Sequence, residues 1–473
     1  MNQSSENPNK NSAPIRVVSS ESAVFVEFQQ AAQLISTIID PTTASTKGNE
    51  ALVQLRQIFD KYLELPSLLD KHVGEMVSDL ARAARAILDT EQEIKFWESP
   101  LPRIFSALYA LSKVRGRKRV QKFLPHAVED VEVILEFLKQ LDQEQKASQQ
   151  HTQGMGNRQD GPQLWESIYT LWNWMGILSL VPFNSSIIVD STRISDLISL
   201  GKAHLSQPGP IRDMAAACLA SWLSRPDLES NELVSFIDWS KTILEDYSKN
   251  NRDIFTIMGC LQTLVAILKV STANRETIVA LMKPLWPITL EISQTNPMNM
   301  LLRKNLVKWW TRLGCAYLPP RVASWRYQRG RRSLKENLLL SSATNRQPQE
   351  ESKVSESEFF LVPDQVEEAM GQVIGGLTDS STVVRWSAAK GVGRISERLP
   401  ELCAEDVIDA LLELLEDLEK DNDWHGACLA FAELARRGLL LPHHFPQVIP
   451  KIAEALHVRK KEMQKFDFFA MFL

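Results

Sequence analysis

Apolar positions recur at helical spacing along most of the chain. In 131–138, Val131, Ile134, Leu135 and Leu138 follow i, i+3, i+4, i+7 and so share one helix face. In 404–418, Val407, Leu411, Leu414, Leu415 and Leu418 extend the same kind of stripe. Alternating strand patterns are scarce and no βαβ rhythm is visible. The pattern predicts an all-α fold.

The C-terminal third shows how the helices are arranged. Pro363, tolerated in a first turn, opens a stretch with Val366, Met370, Val373, Ile374 and Leu377 on one face, and the polar run 378–382 ends it. A second helix follows with Val384, Ala388, Gly391, Val392, Ile395 and Leu399 aligned, up to Pro400. The cycle then repeats, with a first helix at 404–418, a turn at 419–422, and a second helix at 423–437 carrying Trp424, Ala427, Cys428, Phe431 and Leu434. Gly438 suits that helix's C-terminal cap. A third unit starts at Pro446. Trp386 and Trp424 occupy like positions, 38 residues apart.

Helix pairs at a period near ~40 residues are the signature of HEAT or armadillo arrays. Asp379 followed by Val384-Arg385 matches the Asp…Val-Arg spacing of HEAT units: the carboxylate can satisfy turn amides, and the arginine can reach an acidic group in the neighbouring repeat. Pro208-Gly-Pro-Ile211-Arg212 is a weaker instance. Small residues on the second helices (Ala388, Ala389, Gly391, Gly393, Gly426, Ala427) let backbones approach closely. The expected fold is a HEAT/armadillo-type α-solenoid of stacked antiparallel helix pairs, with an ordinary helical bundle as the alternative.

Length agrees with growth in one dimension. A chain of 473 residues exceeds the ~250–300 at which single cores stop growing. Residues 1–22 are polar and expected to be disordered, 23–339 form the N-terminal repeat array with a loop at 143–162, 340–360 read as an acidic and polar linker, 361–458 hold further HEAT repeats, and 459–473 form an atypical tail. A net charge of −5 excludes a dedicated nucleic-acid coat, and 44% hydrophobic residues exclude wholesale disorder. Five cysteines without close pairing make no disulfide framework and fit a reducing compartment. The N-terminus lacks the apolar stretch of a signal peptide, and the longest apolar run, 171–183, is too short to span a bilayer. A cytoplasmic protein without membrane insertion is expected.

Motifs for chemistry are missing. There is no phosphate loop, G-x-S-x-G, H-R-D, HExxH or CxxC, and Gly391-x-Gly393 falls inside a helix. His425-x-x-Cys428 and His443-His444 have poor metal spacing; Cys428 and Cys218 read as buried core thiols, and Cys315 has no nearby base. Neither a cofactor nor a metal is expected. Two basic clusters stand out. Lys113, Arg115, Arg117, Lys118, Arg119 and Lys122 crowd one segment; Arg321, Arg326, Arg329, Arg331 and Arg332 surround Trp325 and Tyr327 in another. Each is either a solvated face or a binding surface for an acidic partner, a protein rather than RNA, since aromatic and Arg residues dominate interfaces.

Several strings together carry a resemblance: KVRGRKRVQKFLPHAVEDVEVIL (113–135), WESIYTLWNWMGILSLVPFN (165–184), VASWRYQRGRRSL (322–334), VVRWSAAKGVGRISERLP (383–400) and WHGACLAFAELARRGLLLP (424–442). They resemble the tubulin-folding cofactor D family from about 25 to 457. The resemblance implies a HEAT/armadillo chaperone that binds β-tubulin, works with the other tubulin-folding cofactors in assembling and disassembling the α/β-tubulin heterodimer, stimulates GTP hydrolysis by tubulin within that complex, and has an Arf-like small GTPase as partner, in the cytoplasm and at the cytoskeleton. It implies no catalytic residues of the chain's own. Arg117 departs from an aromatic usual in the family. Family members are more than twice as long, so the hydrophobic end (Phe466, Phe468, Phe469, Met471, Phe472, Leu473) is expected to mark an alternative or truncated product, or else a tail docking on a partner. The runner-up is another HEAT scaffold, of the nuclear transport receptor or phosphatase type; a third option is an arginine finger among Arg326, Arg329 and Arg331.

Overall fold

The computed structural model describes residues 24–89, 95–150, 161–188, 190–250, 253–270, 275–295, 297–320, 323, 325–326, 361–416 and 420–454. Among them there are helices and turns but no strand, and no helix is long and apolar enough to cross a membrane. The expected segments 1–22, 340–360 and 459–473 lie outside the described residues. The chain divides into two compact units, 1–177 and 178–473.

In the first unit, α1 (Phe28–Ile39), α2 (Ser45–Asp60), α3 (Asp70–Leu88), α4 (Leu101–Arg115), α5 (Arg117–Gln121), α6 (Asp130–Gln150) and α7 (Leu164–Leu178) follow in order. α4 is the central helix, packed against α1, α2, α3 and α5, and is buried on nearly every side. Its polar residues are therefore all engaged, as buried polar groups must be. Arg103 donates to the carbonyls of Ile38 (2.7 Å) and Asp40 (2.8 Å), which closes the C-terminus of α1. Ser106 donates to Glu166 of α7 at 2.6 Å, and Arg56 of α2 completes the site by pairing with the same carboxylate. The helix α6 runs to Gln150, eight residues into the segment expected as a loop from 143; that run is Gln-rich with no Gly or Pro to break the helix.

The second unit contains α8 (Ser185–Ile188), α9 (Ser191–Leu205), α10 (Pro210–Leu223), α11 (Val234–Asn250), α12 (Ile254–Val270), α13 (Arg275–Met282), α14 (Trp286–Gln294), α15 (Met300–Tyr317), α16 (Asp364–Gly375), α17 (Thr382–Ser396), α18 (Glu401–Glu413) and α19 (Asp421–Arg437). The second helices stack in sequence, α10 on α12, α12 on α15, α15 on α17 and α17 on α19. This is the solenoid arrangement expected from the repeat. Pro284, which lacks an N–H, separates α13 from α14 at a 3-10 turn. Trp309 and Trp310 of α15 are fully buried, and their indole N–H groups donate to Thr289 (3.1 Å) and Ser293 (2.9 Å) of α14. Burying such side chains stabilises the stack by ~1.5–3 kcal/mol each.

Small residues set the interhelix distance as expected. A Cβ on Gly426 would lie 2.0 Å from the Leu377 carbonyl oxygen, and one on Gly391 2.3 Å from the Thr311 hydroxyl. Gly438 adopts the left-handed conformation (φ 75°) that caps α19. Trp386 and Trp424 are not equivalent, however. Trp424 is 7% exposed in the core whereas Trp386 is 56% exposed, with the Lys390 ammonium 3.6 Å from its ring centroid. α18 also ends at Glu413, short of the expected 418, although Leu415 in the following turn remains buried.

The Asp379 turn departs from expectation in an informative way. Its carboxylate accepts the Ser381 amide at 2.7 Å, as anticipated, but is clamped by Arg303 of the preceding second helix (Nε–Oδ2 2.6 Å, Nη2–Oδ1 3.0 Å). Among the described residues Arg385 reaches no acidic group in the next repeat. It donates to the Asp379 carbonyl and, on α19, to Asn422 (2.7 Å) and His425 Nδ1 (3.1 Å), because those residues occupy the facing positions and Asp379 is already taken. Burial pushes the Asp379 carboxyl up, but hydrogen bonds from Arg303 and Ser381 outweigh it and leave it below the ordinary carboxylate value.

Two outcomes are expected. Gly426→Ala forces the Leu377 backbone away and lowers the urea-denaturation stability of the unit by ~1–3 kcal/mol. Asp379→Asn costs ~1–3 kcal/mol at pH 7 by leaving Arg303 without its charge partner. Because the folded carboxyl titrates lower than the unfolded one, that difference is full above the unfolded value of ~3.9 and shrinks as pH falls through the folded value; denaturation of both forms across pH measures it.

Candidate partner-binding surface

Half of the first basic cluster, Lys113, Arg115 and Arg119, is consumed inside its own unit. Lys113 pairs with Asp60 of α2 at 2.9 Å, Arg115 grips both oxygens of Asp70 (Nη2–Oδ2 2.6 Å), and Arg119 reaches the same carboxylate at 3.3 Å. Asp70 opens α3, where a negative charge also suits the helix dipole; hydrogen bonding from Arg115 holds its carboxyl below the usual range. Gly116 (φ 91°) supplies the left-handed bend that turns α5 back so that both arginines meet Asp70. The cluster thus staples α2, α3, α4 and α5. Lys118 and Lys122 are exposed with no ion pair among the described residues.

Of the second cluster, Trp325 and Arg326 are described, whereas Tyr327, Arg329, Arg331 and Arg332 lie outside the described residues. Trp325 donates to the Leu399 carbonyl at 3.1 Å, Arg326 approaches Glu397 at 3.6 Å, and the Ala323 amide donates to the Glu397 carbonyl at 2.9 Å. These residues strap the end of α17. Glu397 is also bound by Arg437 of α19.

Of the thiols expected to be inert, Cys218 and Cys315 are buried in the core, whereas Cys428 is only half-buried. Burial pushes Cys260 up to about 12 and raises Cys315 and Cys428. The fold does bring Glu405 to His443 (3.6 Å) beside His444, with their ligand atoms within 4.8 Å of one another. Glu405 is half-exposed, His443 exposed and His444 buried, and their donor atoms lie close enough together that they could hold a metal ion.

A third set of cations was not singled out in the sequence. Lys304, Lys308 and Arg312 stand at i, i+4, i+8 on α15; Lys390 and Arg394 stand four apart on α17, and Arg398 follows at the same interval in the turn just past its end. The spacing was legible, with no carboxylate between Lys304 and Arg312 and Glu397 alone between Lys390 and Arg398; what was hidden is that α15 and α17 lie side by side. Gly314 faces Ile395, Thr311 faces Gly391, and Met300 touches Ser381 at 3.5 Å, so the two helices run parallel in register. Lys308 and Arg312 are half-buried and held below their ordinary values by that burial first, then by neighbouring cations, Lys304 and Arg394 on Lys308, Arg394 and Arg398 on Arg312.

The stacked helix pairs with paired second helices define a repeat protein of the ARM/HEAT class. Models of two parts of one family match it, "Tubulin-specific chaperone D-like, ARM repeat" over residues 59–244 and "Tubulin-specific chaperone D-like, ARM repeats" over 301–466. The chain belongs to the tubulin-specific chaperone D-like family. Relatives include tubulin-specific chaperone D of Dictyostelium discoideum, 26% identical across 91% of this chain and 36% of the relative, and tubulin-folding cofactor D of Schizosaccharomyces pombe, 25% identical across 92% and 37%. The chain spans little more than a third of the length of these curated relatives. Among solved structures, an engineered protein (13% identity, 86% of this chain and 98% of that one, TM-score 0.31) and Kap121p (13%, 92% and 53%, TM-score 0.29) superpose too loosely to bear on the argument.

Arg115→Ala is expected to lower the denaturation midpoint of the first unit, with a cost near ~0.5–1 kcal/mol for a partly exposed pair, and to leave tubulin capture unchanged. Lost capture with unchanged stability would return that cluster to a binding role.

Proposed function

We propose that this chain is the ARM/HEAT portion of a tubulin-folding cofactor that binds β-tubulin and, together with other tubulin-folding cofactors, takes part in assembly and disassembly of the α/β-tubulin heterodimer. The single observation that carries this reading is the match of both family models, over 59–244 and 301–466. The names of the relatives supply the client, tubulin. On this reading GTP hydrolysis by tubulin is stimulated within the assembled complex, an Arf-like small GTPase is a further partner, and the protein works in the cytoplasm at the cytoskeleton. It acts by binding and has no catalysis of its own. The buried, protonated thiols and the commitment of Arg326 to Glu397 support that, since an arginine finger needs a guanidinium free to reach a nucleotide.

Capture of purified tubulin by immobilised 1–473 and 1–458 tests the assignment. Retention by both forms is expected. No capture by either, with native helical content confirmed by circular dichroism, would overturn the placement of the client surface in this part of the family's architecture.

A further inference from the structure

The two cation rows of α15 and α17 present charge that the described fold does not neutralise. Lys304, Lys308, Arg312 and Arg394 have no ion-pair partner among the described residues. The carboxylate that acts on Lys308 is Asp213 of α10, which is also 3.4 Å from Arg212. Arg398 donates to the Cys315 carbonyl at 2.6 Å, tying the end of the row to α15, and Lys390 covers Trp386. Several other cations of the second unit are matched by carboxylates, Arg303 with Asp379, Arg437 with Glu433 and Glu397, Arg225 with Asp227, while Arg385 is satisfied by carbonyls and neutral side chains and Lys202 by the rings of Phe236 and Trp239. Gathering like charges in half-buried positions costs stability, so an unmatched pair of rows is the signature of a surface kept for an outside anion.

We propose that the paired rows Lys304/Lys308/Arg312 and Lys390/Arg394/Arg398 dock an extended acidic polypeptide segment of a partner protein. Residues four apart on a helix are separated by ~6 Å along its axis, and alternate side chains of an extended chain by ~6.5 Å. Carboxylates at every second residue therefore meet successive cations of a row. Each row opens on an exposed apolar side chain four residues earlier, Met300 on α15 and Trp386 on α17, 45% and 56% exposed; an apolar residue at one end of the segment would cover them. The basic strip is narrow, bordered by Asp213 and Glu397 on a chain of net charge −5, which suits a single peptide strand better than the broad electrostatic footprint of a nucleic acid. The inference does not depend on the identity of the client.

Fluorescence anisotropy of a labelled peptide with five Glu-Gly repeats and a terminal Leu, titrated with the whole chain at 50 and 150 mM salt, tests it. Saturable binding is expected, weakened at least tenfold by Lys308→Glu with Arg312→Glu, and changed less than twofold by Lys118→Glu with Lys122→Glu, which alters the net charge equally. Lys308→Met keeps the side-chain stem and removes the charge; it is expected to raise the thermal midpoint while weakening the peptide severalfold, a combination that a structural role would not give. No saturable binding, equal losses in the two double variants, a lower midpoint for Lys308→Met, or tighter binding of a single-stranded oligonucleotide through the same residues would each overturn the proposal.

Discussion

Close approach of the second helices is the constraint on which the rest of the second unit depends. Where Gly391 meets Thr311 and Gly426 meets the Leu377 carbonyl there is no room for a larger side chain, and where Gly314 meets Ile395 the fit is tight. Helix pairs of this length are marginal alone and bury their apolar faces only against neighbours. Backbone proximity at these small residues fixes the register of α15 on α17 and of α17 on α19, and everything carried on the outer faces inherits that register.

Electrostatics in the two units serves different ends. In the first, cations and carboxylates close on each other: Arg115 and Arg119 on Asp70, Lys113 on Asp60, Arg56 on the buried Glu166. In the second, Arg303 and Arg385 are built into the turn between repeats, Arg303 by the Asp379 carboxylate and Arg385 by backbone carbonyls and the side chains of the next repeat. Lys304, Lys308, Arg312 and Arg394 are the contrast. They sit on the stacked helices, partly desolvated by them, among cations. Rigid helices hold those charges together at a spacing that mobile side chains on a loop would not maintain, since on a loop like charges would simply swing apart.

That division bears on how a repeat protein of this family can hold a partner. A repeat stack offers a long, preorganised surface, and binding energy comes from many modest contacts rather than one enclosed pocket. Within such a surface an uncompensated basic strip favours association with acidic segments and does so from a short range, because screening at physiological salt acts over ~8 Å.

The sequence by itself determined the class of fold and the family. Apolar residues at i, i+3, i+4, i+7 leave helices no other use for their stripes than to pack on one another, the recurrence of the pair marks a repeat, and Gly438 and Asp379 announced a cap and a turn through local backbone chemistry alone. The strings at 383–400 and 424–442 carried the family. What only the tertiary structure decided was which charges are spent. Arg115 and Asp70 are 45 residues apart, and Arg303 and Asp379 are 76 apart; no local pattern announces such pairs. The crowded basic string at 113–122 therefore looked available and is half neutralised, whereas the dispersed cations of α15 and α17 looked ordinary and are brought together. Periodicity is a property of one helix, legible in its own residues. Neutralisation is a property of neighbours, and neighbours are chosen by packing.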